Sequence, residues 1–181
     1  RVVGSFADIG AVEGYLASSV VTTNSDSGIG SLRDAITYGT NGSTITFAPN
    51  LSGQTITLTS GGLSLNQSMT IDARSLPAGI TVNGGNTTRL FNQATNTTCS
   101  LLGLTLTGGF STNGGAIYNN GGTLTLGNCT LSNNQTPHTN VVNSGGAIYN
   151  GGGALTLNTC TLSANNSAYG GAIDNIAGAL V

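Results

Sequence analysis

One six-residue phrase occurs three times in this chain, and its repetition restricts the folds available to it. It reads Gly-Gly-Ala-Ile-Tyr-Asn at residues 114–119 and 145–150, and Gly-Gly-Ala-Ile-Asp-Asn at residues 170–175. The first two copies are followed by closely matching tails at residues 123–132 and 154–163. Self-similarity at this period indicates stacked structural units, none of which can bury its apolar face alone.

Within each unit, apolar and polar residues alternate and are interrupted by Gly and Asn, which is typical of short strands joined by tight turns. The segment 103–109 aligns with 128–134. Earlier pairs of apolar residues two positions apart continue the pattern: Ile45/Phe47, Ile56/Leu58, Leu63/Leu65, Met69/Ile71 and Ile80/Val82. The sequence therefore predicts an all-β chain whose repeats are the coils of a β-solenoid.

Successive copies of the phrase start 31 and then 25 residues apart. The extra length falls at residues 135–144, which we expect to loop out from one corner of a coil without disturbing the stacked strands. Loops carry variation on a fixed scaffold, so this corner insertion is a candidate site for partner contacts. It contains the chain's one histidine, His138, which is expected to be solvated.

Composition narrows the classes of function. Only 6% of the 181 residues are charged, Lys is absent and the net charge is −2. Such a chain offers no electrostatic footprint for nucleic acid or for an anionic membrane surface. No apolar run is long enough to span a bilayer, so membrane insertion is not expected. The length fits one domain, and because the chain begins at Arg1 we expect it to be a processed or excised piece.

Residues 26–38 contain the one convincing helix signal. Ser31 is a good N-cap residue, and Leu32, Ala35 and Ile36 would lie on one face of the helix that follows it. A solenoid has open ends whose unpaired strand edges invite aggregation unless they are covered. We therefore expect a short capping helix at about residues 31–38 that closes the first coil.

The start of the repeats resembles a known family. Gly-Ser-Leu-Arg-Asp-Ala-Ile at residues 30–36, followed by the segments 44–47, 55–58 and 69–72, is similar to the opening of bacterial right-handed parallel β-helix surface proteins. Their signature reads Cys-Ser-Leu-Arg-Glu-Ala; here Gly30 replaces the Cys and Asp34 the Glu. The Gly-Gly-Ala-Ile phrase is similar to the repeat of chlamydial polymorphic outer-membrane proteins. The resemblance covers most of residues 20–181 and implies a secreted or surface-displayed right-handed parallel β-helix, and it does not imply an enzyme.

The first 14 residues resemble the phrase that closes β-helices of this family, which reads Asp-Ile-Gly-Ala followed by an aromatic or aliphatic residue and Glu. Because this phrase precedes the opening signature, we expect the chain to be one period of a tandem array. Residues 1–20 would then complete the preceding unit and residues 21–181 would form the β-helix. An ordinary N-terminal strand is the alternative. The tandem interpretation predicts a head-to-tail interface between copies of the chain, covalent or not, formed by Val3, Phe6, Ile9, Val12, Ile173 and Leu180.

The three copies of the phrase place Tyr118, Tyr149 and Asp174 in one column. Because a charged Asp is rarely tolerated in a narrow apolar core, this column is expected to face solvent while the preceding Ile residues face inward. The two Tyr rings are a possible surface for contact with sugars, although lateral packing is the more common role of such a pair.

The residues after this column are Asn119, Asn150 and Asn175, which are then expected on the inward side near a corner. Stacked Asn side chains can hydrogen-bond along the coils and so satisfy buried amides. The sequence therefore predicts an asparagine ladder. The alternative is that each Asn serves only its own turn.

Cys129 and Cys160 occupy equivalent positions in successive units, and Cys99 aligns with Leu124 and Leu155. Stacked strands lie about 4.8 Å apart, within the Cα separation that a disulfide accepts. All three residues are expected in inward-facing apolar columns, where a free Cys behaves as a small hydrophobic residue. Free thiols are the favoured prediction, and a Cys129–Cys160 bridge in an oxidising compartment is the alternative.

Catalysis in parallel β-helices uses clustered carboxylates or basic residues in a groove. The six acidic residues are spread so that no two share a column of the repeat. Asp72 and Arg74 are expected to form a surface ion pair, and no zinc-ligand spacing occurs. We therefore expect no enzyme, no cofactor and no metal site. A carbohydrate-binding or polysaccharide-degrading β-helix is kept as the alternative.

An ice-binding solenoid is a further alternative, because rows of Thr-x-Thr suit ice and occur at Thr44/Thr46, Thr55/Thr57 and Thr105/Thr107. These rows are not expected to be in register with each other, and outward Thr is equally expected from β-propensity. The favoured prediction is an extracellular or cell-surface structural β-helix, a unit of a bacterial fibre, sheath or adhesin-like stalk. Its expected partners are copies of itself and, in the carbohydrate-binding alternative, surface glycans, and not nucleic acid.

Overall fold

The computed structural model describes residues 18–137, 144–176 and 178–181. These residues contain one α-helix, α1 (Leu32–Tyr38), one 3-10 turn (Pro49–Leu51) and 17 short strands. The strands are β1 (Val20–Val21), β2 (Ser43–Phe47), β3 (Thr55–Thr57), β4 (Leu63–Leu65), β5 (Met69–Asp72), β6 (Ile80–Asn83), β7 (Phe91–Gln93), β8 (Thr98–Leu102), β9 (Leu104–Thr107), β10 (Ile117–Asn119), β11 (Thr123–Gly127), β12 (Thr130–Ser132), β13 (Ile148–Gly151), β14 (Ala154–Asn158), β15 (Thr161–Ser163), β16 (Ile173–Ile176) and β17 (Ala179–Leu180).

These strands form three sheets that the chain visits in rotation, and every pairing is parallel. The first sheet has the order β1-β2-β5-β8-β11-β14-β17, the second β15-β12-β9-β6-β3 and the third β16-β13-β10-β7-β4. From β2 onward, one strand of each sheet makes one coil, and each strand pairs with its counterpart in the next coil. The predicted parallel β-solenoid is therefore confirmed for the described residues.

The register of the pairs places equivalent residues of the repeat beside each other. In the third sheet Ile117 pairs with Ile148, and Ile148 with Ile173. In the second sheet Thr105 pairs with Thr130, as the alignment of 103–109 with 128–134 predicts. Because paired parallel strands lie about 4.8 Å apart, each repeat position becomes a column of side chains along the solenoid axis.

The two glycines that open each phrase are glycine for different reasons. Gly145 has a φ of 66°, in the left-handed region that glycine adopts at least cost. Gly146 instead lies where the next coil comes too close for a side chain. A Cβ at Gly146 would collide with the carbonyl oxygen of Gly171 and lie 2.6 Å from the backbone nitrogen of Asn166. The first glycine thus turns a corner, and the second lets the coils stack.

The core is a narrow column of inward-facing side chains closed at one end by α1. Every residue of the five predicted apolar pairs is buried. Helix α1 begins after Ser31, whose hydroxyl accepts a hydrogen bond of 3.1 Å from the backbone of Asp34. Its face of Leu32, Ala35 and Ile36 is buried where α1 packs against β1 and β4. The expected capping helix is present.

The segment that leaves the coil is shorter than the predicted insertion at residues 135–144. Gln135 forms parallel bridges with Phe110 and Asn166, so the chain still follows the coil at this point. Ser144 likewise bridges Asn113 and Tyr169. Both ends of the insertion are therefore held in the stack, and the residues between them include His138, which lies outside the described residues.

One further expectation concerns a segment outside the described residues. Val3, Phe6, Ile9 and Val12 belong to residues 1–17, which are outside the described residues, so their predicted contacts stay predictions. Among the residues that are described, no helix is long and apolar enough to cross a bilayer.

Candidate functional site

The inward column of the third sheet carries a continuous amide ladder. The Asn119 side chain donates to Asn150 Oδ1 at 2.6 Å, and Asn150 donates to Asn175 Oδ1 at 2.6 Å. Each amide also closes its own turn, since Asn119 Nδ2 bonds the Gly122 carbonyl at 2.9 Å and Asn150 Nδ2 the Gly153 carbonyl at 2.7 Å. Asn119 and Asn150 are fully buried. Each Asn therefore takes part in the ladder and also closes its own turn, so the structure contains both of the predicted arrangements.

A second amide ladder, which is not among the features predicted from the sequence, runs beside the second sheet. Asn134 donates to Asn165 Oδ1 at 3.0 Å and to the Leu106 carbonyl at 3.0 Å. Asn165 donates in turn to the Leu131 carbonyl at 2.9 Å. The usable signal was the Asn-Asn doublet at 133–134 and 165–166. Read as a plain turn, the doublet hides the fact that Asn134 is buried.

Tyr118 and Tyr149 form a stacked pair on the outer face of the third sheet. Their ring centroids lie 5.1 Å apart with an interplanar angle of 4°. The guanidinium of Arg89 lies 4.9 Å from the centroid of the Tyr118 ring, and Asp174 follows Tyr149 in the column. Because the ring faces are turned toward each other and toward Arg89, a sugar would meet mainly ring edges. The arrangement favours lateral packing over a stacking surface for sugars.

Arg89 anchors this face through backbone contacts that no sequence motif signals. Its guanidinium donates to the carbonyls of Asn113 at 2.6 Å and Gly114 at 2.9 Å, and to the Ser111 hydroxyl at 2.7 Å. It also donates to the Asn92 side chain. Burial lowers the pKa of Arg89, with Tyr118 acting in the opposite direction. Arg89 therefore ties the corner before β10 to the preceding coil.

The end of the solenoid near α1 is held by an ion pair that the sequence analysis did not anticipate. Asp26 accepts a hydrogen bond of 2.6 Å from Arg33, and its other oxygen accepts from the backbones of Thr59 and Ser60 at 3.1 and 2.7 Å. Arg33 also donates to the Gly61 carbonyl at 2.6 Å. Burial raises the pKa of Asp26, but the hydrogen bonds from Ser60, Arg33 and Thr59 outweigh it and hold that pKa well below its ordinary value.

The opposite end exposes residues of the inward columns. Leu180 pairs with Leu155 and so continues the inward column of Met69, Cys99 and Leu124, yet 53% of its surface is exposed. Ile173 is only partly buried. No described strand lies beyond β17, β15 or β16 in its sheet. Of the six predicted interface residues, the structure thus places Ile173 and Leu180 together at one open end.

The three cysteines are free thiols, so the alternative Cys129–Cys160 bridge is not formed. Cys99 pairs with Leu124 in the first sheet, as aligned. Cys129 Sγ lies 3.3 Å from the Leu101 carbonyl oxygen, and burial raises the pKa of Cys129 to about 11. Cys160 is only partly buried because it belongs to the open end. These contacts fit cysteines that act as small core residues.

Charged and metal-binding groups are sparse in the part of the chain that the structure describes. Asp72 and Arg74 form the expected ion pair, with a distance of 2.7 Å between carboxylate and guanidinium. The Arg74 side chain is 54% exposed, so the pair contributes little to stability. Within the described ranges, no three or more His, Cys, Asp or Glu residues come together as a metal site would require.

The expectation that the Thr-x-Thr rows are out of register was wrong for two of the three rows. Thr55/Thr57 and Thr105/Thr107 were expected out of register, but the register of β3, β6 and β9 puts both rows in the same two columns of the second sheet. The intervening row is Thr81/Asn83, and its Asn hides the continuity of the Thr-x-Thr rows in the sequence. Thr44/Thr46 does lie elsewhere, on the first sheet.

Comparison with known protein families finds a similarity within the repeats. The family model of the Chlamydia polymorphic membrane protein repeat matches residues 128–151. No curated protein and no solved structure matches the chain. The matched span contains the second half of one tail and the second copy of the Gly-Gly-Ala-Ile phrase, and it does not reach residues 30–36. In this stretch, which forms β12, the corner insertion and β13, the chain is similar to the repeat of these membrane proteins.

Proposed function

We propose that this chain is a structural β-helix of a bacterial cell surface whose copies add head to tail into a fibre, sheath or stalk. The repeat match suggests a bacterial surface or outer-membrane protein with a β-helix fold. The free energy of such a solenoid comes from stacking between neighbouring coils. A unit of this kind gains stability whenever its terminal coil is covered by another.

The observation that carries the proposal is the stacking of equivalent repeat positions into continuous columns, which coils of another copy could extend. At one end, α1 buries Leu32, Ala35 and Ile36 over the first coils. At the other, Leu180 is in register with a buried column but half exposed. Exposed strand edges of this kind are templates for additional strands, and main-chain hydrogen bonds supply affinity with little demand on sequence.

The occupant we propose for this open end is the segment 1–14 of the following copy. It carries Val3, Phe6, Ile9 and Val12, which would pack near Ile173 and Leu180 and continue the apolar columns. The cap of Arg33 and Asp34 would then lie at the joint between units. Contact between two different surfaces that stacks copies along the solenoid axis does not close into a ring, so it propagates into a filament.

Electron microscopy and sedimentation of the 181-residue chain and three variants test this proposal. Relative to the 181-residue chain, deletion of residues 1–14 and the substitution Leu180→Asp should each shift long particles to short or monomeric ones, with circular dichroism unchanged. Thr125→Asp, on the lateral face of the first sheet, is the matched control and should still assemble. Full-length fibres from the deletion variant, or loss of assembly in Thr125→Asp, would overturn the proposed joint.

The proposal assigns the chain no catalytic activity. In support, the carboxylate of Asp26 accepts hydrogen bonds at the capped end. Asp174 lies at the other end, in the column of Tyr149, without a second carboxylate in that column. Incubation with mixed bacterial and plant polysaccharides should release no reducing sugar. Release that disappears with Asp174→Asn would make the chain an enzyme and would remove this part of the proposal.

A further inference from the structure

The outer face of the second sheet is a regular grid of small hydroxyl side chains. One column consists of Thr55, Thr81, Thr105, Thr130 and Thr161. The neighbouring column consists of Thr57, Asn83, Thr107, Ser132 and Ser163. Every one of these side chains is half-buried or exposed, because the residues between them face the core.

Nine of these ten side chains carry a hydroxyl, and none of the nine hydroxyls bonds to another group among the described residues. Asn83 is the exception within the grid, since its Oδ1 accepts from the backbone of Gly85 at 2.8 Å. The grid contains no charged and no aromatic residue. Its hydrogen-bonding capacity is therefore directed to whatever lies outside the protein.

Two physical features make this grid a rigid pattern. Strand spacing sets a repeat of about 4.8 Å along each column, and alternate residues of a strand are about 6.6 Å apart. Thr is stiff at χ1, so the hydroxyl and methyl positions are fixed before anything binds. A preorganised surface loses little entropy on binding.

We propose that this face binds ice. Ice is a periodic solid whose surface offers hydrogen-bonding oxygens at regular spacings of several ångströms, so a rigid periodic array of hydroxyl groups suits it. A polysaccharide site is less suited to this surface, because the stacking aromatic residues and the charges that hold sugars are missing from it. The proposal is independent of assembly, since the grid lies on the side of the solenoid and not at its ends.

Partition into a slowly growing ice crystal tests the proposal. The fluorescently labelled full chain should enter the ice, whereas Thr105→Tyr, at the centre of the all-Thr column, should be rejected like an inert protein. Thr130→Tyr in the next coil should behave in the same way. Thr125→Tyr is the matched control, because this Thr faces outward from the first sheet and is also half-buried. It should partition as the unsubstituted chain does.

Circular dichroism melting of all four proteins shows whether the substitutions leave the fold intact. Rejection of the unsubstituted chain by ice overturns the proposal, as does retention of both Thr105→Tyr and Thr130→Tyr. Equal loss in Thr125→Tyr shows that the second sheet is not the binding face and overturns it as well. Thr105-dependent binding to crystalline chitin or cellulose without entry into ice assigns the grid to a polysaccharide instead.

Discussion

Asn119 and Asn150 hydrogen-bond through their side chains at 2.6 Å while each bonds the glycine carbonyl three residues further on. One side chain thus serves two directions, holding its own corner and joining its coil to the next. Both residues are fully buried. A buried amide whose donors and acceptor are all engaged stabilises a fold, whereas one left unpaired is costly.

Replacing Asn150 with Leu should therefore destabilise the protein substantially. The substitution removes the acceptor of Asn119, the donor to Asn175 and the donor to the Gly153 carbonyl. We expect a loss of about 1–3 kcal/mol in the free energy of unfolding. Urea unfolding followed by circular dichroism measures it.

Tyr149→Ser is the matched comparison, because Tyr149 is the adjacent residue and points to the opposite face. It loses an aromatic pair with Tyr118 worth about 0.5–1.5 kcal/mol and leaves no buried polar group unpaired. The cost should be smaller than that of Asn150→Leu. Equal costs at the two positions would contradict the assignment of the ladder to the buried side.

Two glycine substitutions should separate close packing from backbone conformation. Gly152 has a φ of 93° with open space around it, so Gly152→Ala should cost about 1–2 kcal/mol for the left-handed conformation alone. At Gly146 a Cβ meets backbone atoms of the next coil, so Gly146→Ala should cost about 3 kcal/mol or more. If calorimetry ranks Gly152→Ala as the worse variant, the second glycine of the phrase is not fixed by stacking.

Much of this fold can be predicted from the sequence, because aligning the copies of the repeat gives the register between neighbouring coils. Aligning the phrase with itself puts Ile117 beside Ile148, and alternation then fixes which side chains face inward. The cap helix can be predicted equally well, since Ser31 and the apolar face after it are local signals. These predictions need only residues that are near each other in sequence or in the repeat.

What the sequence does not reveal depends on contacts between dissimilar segments. Asp26 bonds Arg33 and the backbone of Ser60, and no periodicity links these positions. Arg89 is fixed by carbonyl groups that every residue carries. The hydroxyl grid was hidden for a third reason. Asn83 interrupts the Thr-x-Thr pattern at the row that connects Thr57 with Thr107.

The hydrogen bonds of Asp26 with Arg33, Thr59 and Ser60 should make stability at the capped end depend on pH. Because the folded-state pKa of Asp26 is lowered, its contribution is present above the unfolded pKa of about 3.9 and is lost as pH falls toward the folded value. Asp26→Asn should be less stable than the unsubstituted chain at pH 7, and the difference should shrink below about pH 4. Urea midpoints at pH 7 and pH 3 measure this. A difference that is the same at both pH values would mean that the charge is not involved.

Thiol reactivity should report both the fold and the assembly. Cys129 is buried and burial raises its pKa to about 11, and Cys99 is also buried with a raised pKa. Cys160, at the open end, is partly exposed. In unassembled protein at pH 8, a maleimide reagent should therefore label Cys160 first and the other two only after denaturation.

In assembled fibres the following copy should cover the open end and slow labelling of Cys160, with Cys160→Ser as the blank for the residual signal. An unchanged rate for Cys160 in fibres would place the contact between copies somewhere other than the coil that carries Leu180.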